Sequence, residues 1–183
     1  MIETGVLRGR SVRLRPLEES DVSLLTGWYG DDDVRFWLHL SEDTPDMLTA
    51  DAHRHRYELL RADPARVLWC IETAAGQPIG SLTLFDINRV HGRAELGVMI
   101  GEKDCWARGY GTDAIGQALA YAFGELGLRR IYLITDVDNE RAIRCYEKCG
   151  FVREGLLRAH RLRDGQPLDM VTMAVLREER ERP

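Results

Sequence analysis

From Trp106 to Thr112 the chain reads Trp-Ala-Arg-Gly-Tyr-Gly-Thr, and this glycine-containing turn stands between two segments of different periodicity. Before it, Ala94 to Ile100 alternates like a strand. After it, Ile115, Ala118, Leu119, Ala122, Phe123 and Leu126 recur at the spacing of one helix face, and Gly127 suits a helix C-terminus. A strand, a tight turn and a helix start aim several free backbone N–H groups, and the positive end of the helix dipole, at one point. A phosphate is the kind of anion such a point holds, with Arg108, Gly109, Tyr110, Gly111 and Thr112 around it.

A second group of polar residues follows at Val137 to Phe151. Asn139 stands where a helix would be capped, Ala142, Ile143 and Tyr146 mark an inward face, and Gly150 ends the helix. Cys145 and Cys149 are four apart and share a helix face, so a metal pair is conceivable. The other two cysteines, Cys70 and Cys105, add neither a Cys-x-x-Cys pair nor a second cluster, and the five histidines show no paired metal spacing. No metal is expected, and the thiols read as small reduced side chains.

These groups need a scaffold, and its pattern is α/β. Ser11 to Leu17 alternates apolar and basic residues up to Pro16, as an edge or half-buried strand does. Ser20 or Asp21 can cap a helix closing at Gly30, the run 31–33 reads as a loop, and a second helix is expected from Thr44-Pro45 to Pro64. Strands at 67–71 and 79–85 flank a turn at 74–78 and form a hairpin. The strand at 94–100 puts Glu95, Gly97 and Met99 on one face and Ala94, Leu96, Val98 and Ile100 on the other. Ile131 to Thr135 is almost continuously apolar, which suits a buried strand parallel to 94–100 across the helix between them. Strands at 151–160 and 168–176 about Asp164-Gly165 bring the expected total to seven, in a mixed, mostly antiparallel sheet with helices on both faces.

The length of 183 residues, with 44% hydrophobic and 30% charged, fits one soluble globular domain spanning residues 1–183. No apolar leader opens the chain and no run is long enough to span a membrane, so a cytoplasmic protein is expected. The formal net charge is −5, and residues 1–64 hold all of it, with eight arginines against thirteen acids. That distribution argues against a nucleic-acid surface, which needs clustered cations. It suits attraction of a cationic partner, although a solvated acidic face has the same composition.

Two family readings compete for the glycine turn. Gly109-x-Gly111-x-x-Ala114 fits a dinucleotide fingerprint, and Asp136 ends the next strand where a ribose-binding acid would stand. That fold places its fingerprint on the first strand of a long parallel sheet, whereas here about ninety residues of mostly antiparallel pattern precede it. Asn139, Ala142, Tyr146 and Gly150-Phe151 instead closely resemble, in register, the second signature of the GCN5-related N-acetyltransferase (GNAT) superfamily. The opening Val12 to Leu17, with Glu154 to Arg158 and Asp164-Gly165 near the end, resembles the RimJ/RimL-type ribosomal-protein N-terminal acetyltransferases, so the likeness covers most of the chain. Trp106 departs from the superfamily's Gln or Arg at that place, and an aromatic there is similar to what the RimJ/RimL group shows.

The resemblance implies a GNAT-like sheet splayed at the cofactor site, acetyl-CoA as co-substrate, and direct attack of a primary amine on the thioester. The loop 108–112 would take the pyrophosphate. Main chain of Val98, Met99 and Ile100 would pair with the pantetheine amides, and Asn139 would bond the same arm. Tyr146 would be the general acid that protonates the departing thiolate, and Glu95 the base for the amine. The plain alternatives are a core aromatic, a surface carboxylate and, for Asn139, a helix cap alone. Trp28, Tyr29, Phe36 and Trp37 would wall the acceptor site. The acceptor is left open between a small-molecule amine and a protein N-terminus, and a homodimer is left open too. A nicotinamide-dependent oxidoreductase and a CoA-binding module without turnover are the alternative functions.

Overall fold

The computed structural model of the chain describes residues 4–38 and 49–180. Strands β1 (Leu7–Arg8), β2 (Val12–Pro16), β3 (Val67–Thr73), β4 (Pro78–Asn88), β5 (Arg93–Ile100), β6 (Arg130–Asp136), β7 (Val152–Arg163) and β8 (Gln166–Leu176) form one sheet, in the order β1-β2-β3-β4-β5-β6-β8-β7. Every neighbouring pair is antiparallel except β5 with β6. The sheet has eight strands where seven were expected, because Leu7 and Arg8 pair with Leu14 and Arg13 as a two-residue edge too short to show a period.

One face of the sheet packs on α4 (Tyr110–Gly124) and α5 (Glu140–Lys148), with Leu14, Trp69, Ile71, Ile115, Leu119, Ile131 and Leu133 buried between them. The other face carries α1 (Val22–Gly30) and α3 (Ala50–Ala62) over Leu68 and Cys70. A short C-terminal α6 (Arg177–Arg180) follows β8. Asp164 and Gly165 both take positive φ, 50° and 71°, as the tight turn of the long β7–β8 hairpin requires.

The run 31–33 is not a loop. Asp31 accepts the N–H groups of Asp33 and Val34 and so caps a separate helix, α2 (Asp32–Phe36). Lys103 pairs with Asp31 at 2.8 Å and Asp33 at 2.7 Å, and Arg35 pairs with Asp32 at 2.5 Å, so this acidic run carries its own counter-charges. Asp21 precedes α1 without capping it; its buried carboxylate instead accepts the Glu18 N–H and the two ends of the Arg15 guanidinium, at 2.6 and 2.7 Å. The helix expected from Thr44-Pro45 begins, within the described residues, at Ala50 with Thr49 as its cap, and its expected first turns lie outside those residues.

The parallel pairing positions the site. β6 opposes β5 only at Arg93–Arg130, Ala94–Ile131 and Glu95–Tyr132. β4 continues to pair with β5 through Ile100, but from Leu96 onward the other side of β5 has no strand partner among the described residues. The splay opens there. The Trp106 indole N–H takes the Ile100 carbonyl at 2.7 Å and so ties the end of β5 to the loop before α4.

Candidate active site

The features expected from the sequence lie on β5, on the loop before α4 and on α5 with its cap. The free side of β5 presents the main chain of Val98, Met99 and Ile100. Beyond it the loop turns at Ala107 and Gly109, with φ of 58° and 86°, into the first turn of α4, formed by Tyr110, Gly111 and Thr112. Gly109 precedes the helix in a left-handed conformation that a Cβ would disfavour. With no side chain capping α4, its first-turn N–H groups have no side-chain acceptor among the described residues. Arg108 is exposed beside them.

Asn139 caps α5, accepting the Ala142 N–H at 3.2 Å, which leaves its NH2 end for a second partner. Tyr146, one helix face further on, is buried and packs on Phe151 with ring centroids 5.9 Å apart. Burial first, and then the neighbouring Cys145 and Cys149 thiols, push its phenol well above the ordinary range, so it stays protonated at neutral pH.

Glu95 occupies the last paired position before the splay, opposite Tyr132. It is half-buried, and burial raises its carboxyl above the usual range, a hydrogen bond from Tyr132 opposing and the Asp86 carboxylate adding to the shift. The one Tyr132 hydroxyl proton is shared with Asp86, 3.2 Å away, and the same oxygen accepts from Arg93 at 3.1 Å. Tyr132 reads in the sequence as one more buried strand residue, and only the strand register shows it beside Glu95.

The four aromatics divide. Trp28 is buried against Val34 and Met99, donates its indole N–H to Glu102 at 2.8 Å, and lies so close over Gly101 that a Cβ there would fall 2.1 Å from the ring. Tyr29 meets His53 at a tilt, with ring centroids 4.7 Å apart, and lines a cavity of about 80 Å³ with Arg56, Tyr57, Ser81 and Thr83. Phe36 and Trp37 meet edge to face, and the Arg163 guanidinium lies over both rings, at 4.4 and 5.5 Å.

Two arginine arrangements have no sequence motif. Arg141 stacks on Trp106 at 3.8 Å beside the loop, so a cation borders the anion cradle although Trp106 replaces the superfamily's polar residue. Asp136, fully buried, takes Arg161 at 2.7 Å and Arg163 at 2.5 Å. That enclosure leaves Asp136 unable to reach a ribose, which removes the support it lent to the dinucleotide reading. Among the described residues, no group of three or more His, Cys, Asp or Glu could hold a metal ion, and no helix is long and apolar enough to cross a membrane.

Comparison with known proteins agrees with the fold. The family described as "Acetyltransferase (GNAT) domain" matches residues 11–152. Spermidine N(1)-acetyltransferase of Vibrio cholerae is 30% identical over 164 residues, covering 89% of this chain and 91% of that protein. YdaF of Bacillus subtilis, named for ribosomal N-acetylation, is 28% identical over 175 residues, with 92% of each chain covered. Among solved structures, spermidine N-acetyltransferase from Vibrio cholerae in complex with CoA and spermine superposes with a TM-score of 0.82 at 28% identity, over 92% of this chain and 96% of that one. The chain belongs to the GNAT acetyltransferase family and is an acetyl-CoA-dependent N-acetyltransferase acting on an amine.

Proposed function

We propose that the acceptor is a small aliphatic polyamine, and that one domain both binds acetyl-CoA and presents this amine to it. The splay of β5 from β6 supports the reading, since β5 keeps a free strand edge beyond Glu95 and runs on toward the uncapped N-terminus of α4. The end-to-end likeness to spermidine acetyltransferases and the net charge of −5 favour a cationic small molecule over a protein N-terminus. The RimJ/RimL-type resemblance, with YdaF beside it, supports the ribosomal alternative. A thiol-release assay with spermidine, spermine and an N-terminal peptide separates them: turnover of the peptide with none of the polyamines overturns the proposal.

In this reading acetyl-CoA supplies the activated acetyl group. The N–H groups of Gly109 to Thr112 bind its pyrophosphate, with Arg108 and Arg141 as flanking cations. Val98, Met99 and Ile100 pair with the pantetheine amides along the unpartnered edge, and the Asn139 NH2 bonds the same arm. Trp28 backs the end of β5 through Gly101, Tyr29 lines the acceptor side, and Phe36 and Trp37 reach it through α2. Four free cysteines and the co-substrate are consistent with a cytoplasmic setting. The edge strand β7 exposes Val152, Leu156 and Leu162, a surface suited to a second copy in a homodimer; light scattering reads that directly.

Gly111 tests the cradle. A Cβ there meets only the Cys145 sulfur at 3.5 Å and an Ile100 side-chain carbon at 4.0 Å, so Gly111→Asp fits sterically while placing a carboxylate beside the anion. Acetyl-CoA should bind about tenfold or more weakly, a repulsion of the order Coulomb's law gives at a protein surface, with thermal stability close to the parent. NADH should not bind either protein; calorimetry reads both.

Glu95 tests the base. Only its ionised form accepts a proton, and burial raises its pKa, so kcat/KM should climb with pH through a limb above the ordinary carboxylate range. Glu95→Gln should lower kcat/KM by about tenfold or more at neutral pH and abolish that limb. An unchanged pH profile assigns proton removal to water.

A further inference from the structure

Cys145 of α5 and Cys149, the residue that caps its C-terminus, both reach the first turn of α4. The Cys145 sulfur lies 3.3 Å from the Thr112 hydroxyl oxygen, and the Cys149 thiol donates to the Thr112 carbonyl at 3.6 Å. A Cβ at Gly111, whose N–H belongs to the same turn, would lie 3.5 Å from the Cys145 sulfur. Cys145 is partly exposed, whereas Cys149 is buried.

We propose that Cys145 and Cys149 form a peroxide-reactive dithiol that closes the acetyl-CoA site when oxidised, which rests on the cradle assignment above. The Cys145 thiolate attacks one oxygen of a hydroperoxide, breaking the O–O bond and releasing hydroxide or alkoxide, and becomes a sulfenic acid. The Cys149 thiol then displaces the sulfenic oxygen as water and forms the disulfide. Two thiols lose two electrons in all, and the peroxide gains them.

Local structure favours this sequence of steps. The adjacent Cys149 thiol, once it turns its one proton from the Thr112 carbonyl to Cys145, and then the Thr112 hydroxyl favour the thiolate at Cys145, lowering its pKa against the opposing effect of burial, and the helix N-terminus nearby acts in the same direction. The Cys149 thiol, pushed up by the same pairing and by burial, keeps its proton. Cα atoms four apart on a helix are about 6 Å from each other, within the range of a disulfide, although their Cβ atoms are ordinarily too far apart. Here the last turn is already tightened: the Cys149 N–H bonds the Tyr146 carbonyl at 2.9 Å as well as that of Cys145 at 3.2 Å. Closing the bond tightens it further, displacing Tyr146, which lies within the bridged turn, and drawing the sulfurs away from Thr112.

Treatment of the reduced protein with hydrogen peroxide, followed by tryptic mass mapping, tests the proposal. Trypsin cuts after Arg144, Lys148 and Arg153, so a Cys145–Cys149 bond joins two otherwise separate peptides. The linked pair should appear together with loss of acetyl-CoA binding, should vanish with dithiothreitol as binding returns, and should be suppressed by saturating acetyl-CoA. Cys149→Ser should stop at a sulfenic acid that dimedone traps on Cys145. Cys145→Ser and Cys145→Ala should both keep cofactor binding after peroxide. Unlinked peptides at doses that oxidise the partly exposed Cys105, or loss of binding in the Cys145 variants equal to the parent's, would overturn it. Should the reduced protein fail to bind acetyl-CoA at all, the cofactor assignment falls, while the peptide linkage still decides the dithiol.

Discussion

Replacing Tyr146 with phenylalanine is expected to lower kcat about 10²-fold, within the range ascribed to a positioned general acid, with the dissociation constant of acetyl-CoA unchanged. The substitution keeps the ring against Phe151 and removes only the hydroxyl, which makes no hydrogen bond to another described residue, so stability should hardly move. The raised pKa has two consequences. It keeps the phenol protonated at the pH where an amine becomes a neutral nucleophile, so the donor is present when the thiolate departs. It also opposes full proton transfer to a thiolate whose own pKa is about 8.5, so part of the loss is a hydrogen bond to developing charge rather than a completed transfer. A factor of 10² is about 2.7 kcal/mol, the size of one charge-assisted bond in a buried site. Single-turnover thiol release reads the chemical step directly. An unchanged rate with chemistry limiting would leave Tyr146 as a packing residue.

The elements that carry the proposed site were legible in the sequence because local pattern encodes them. A glycine turn before a 3.6-residue period marks a helix start wherever the fold puts it, and Asn139 caps α5 by the same local logic. The parallel pairing of 94–100 with 131–135 also followed, from a continuous apolar run. Its termination at Glu95 did not, because the splay depends on which residues fail to pair, and periodicity says nothing of that. The run 31–33 misled because three consecutive acids resemble a solvated loop. Asp31 instead uses its short side chain as a cap, and Lys103, seventy residues away in sequence, supplies the counter-charge. Trp28 resembles the other aromatics by type and is set apart only by Gly101, which gives it room over the end of β5. For Asp136 the sequence could name no partner: a carboxylate at a strand end has several possible ones, and β7 lies too far along the chain for sequence to choose among them.

That carboxylate leads to the second large expected effect, on folding. Asp136→Asn should destabilise the protein by about 3–5 kcal/mol, the cost of removing one member of a buried ionic group and leaving its partners uncompensated. At about 2–4 °C per kcal/mol for a chain of this size, the melting temperature should fall by about 6–20 °C. The side chains of Arg161 and Arg163 are only 14% and 15% exposed, so neither guanidinium recovers full hydration by turning outward. Arg163 keeps Asp138 at 2.6 Å as a second acid, whereas Arg161 has the Leu38 carbonyl at 3.3 Å as its other described polar partner, so the larger share of the penalty falls on Arg161. The double variant Asp136→Asn with Arg161→Leu should therefore recover more stability than Asp136→Asn with Arg163→Leu, which also loses the guanidinium stacked on Phe36 and Trp37. Chemical denaturation of the parent, the single variant and both doubles gives the coupling energies. Equal recovery in the two doubles would show that the arginines share the buried charge evenly, and a single variant within 1 kcal/mol of the parent would show that water already reaches Asp136.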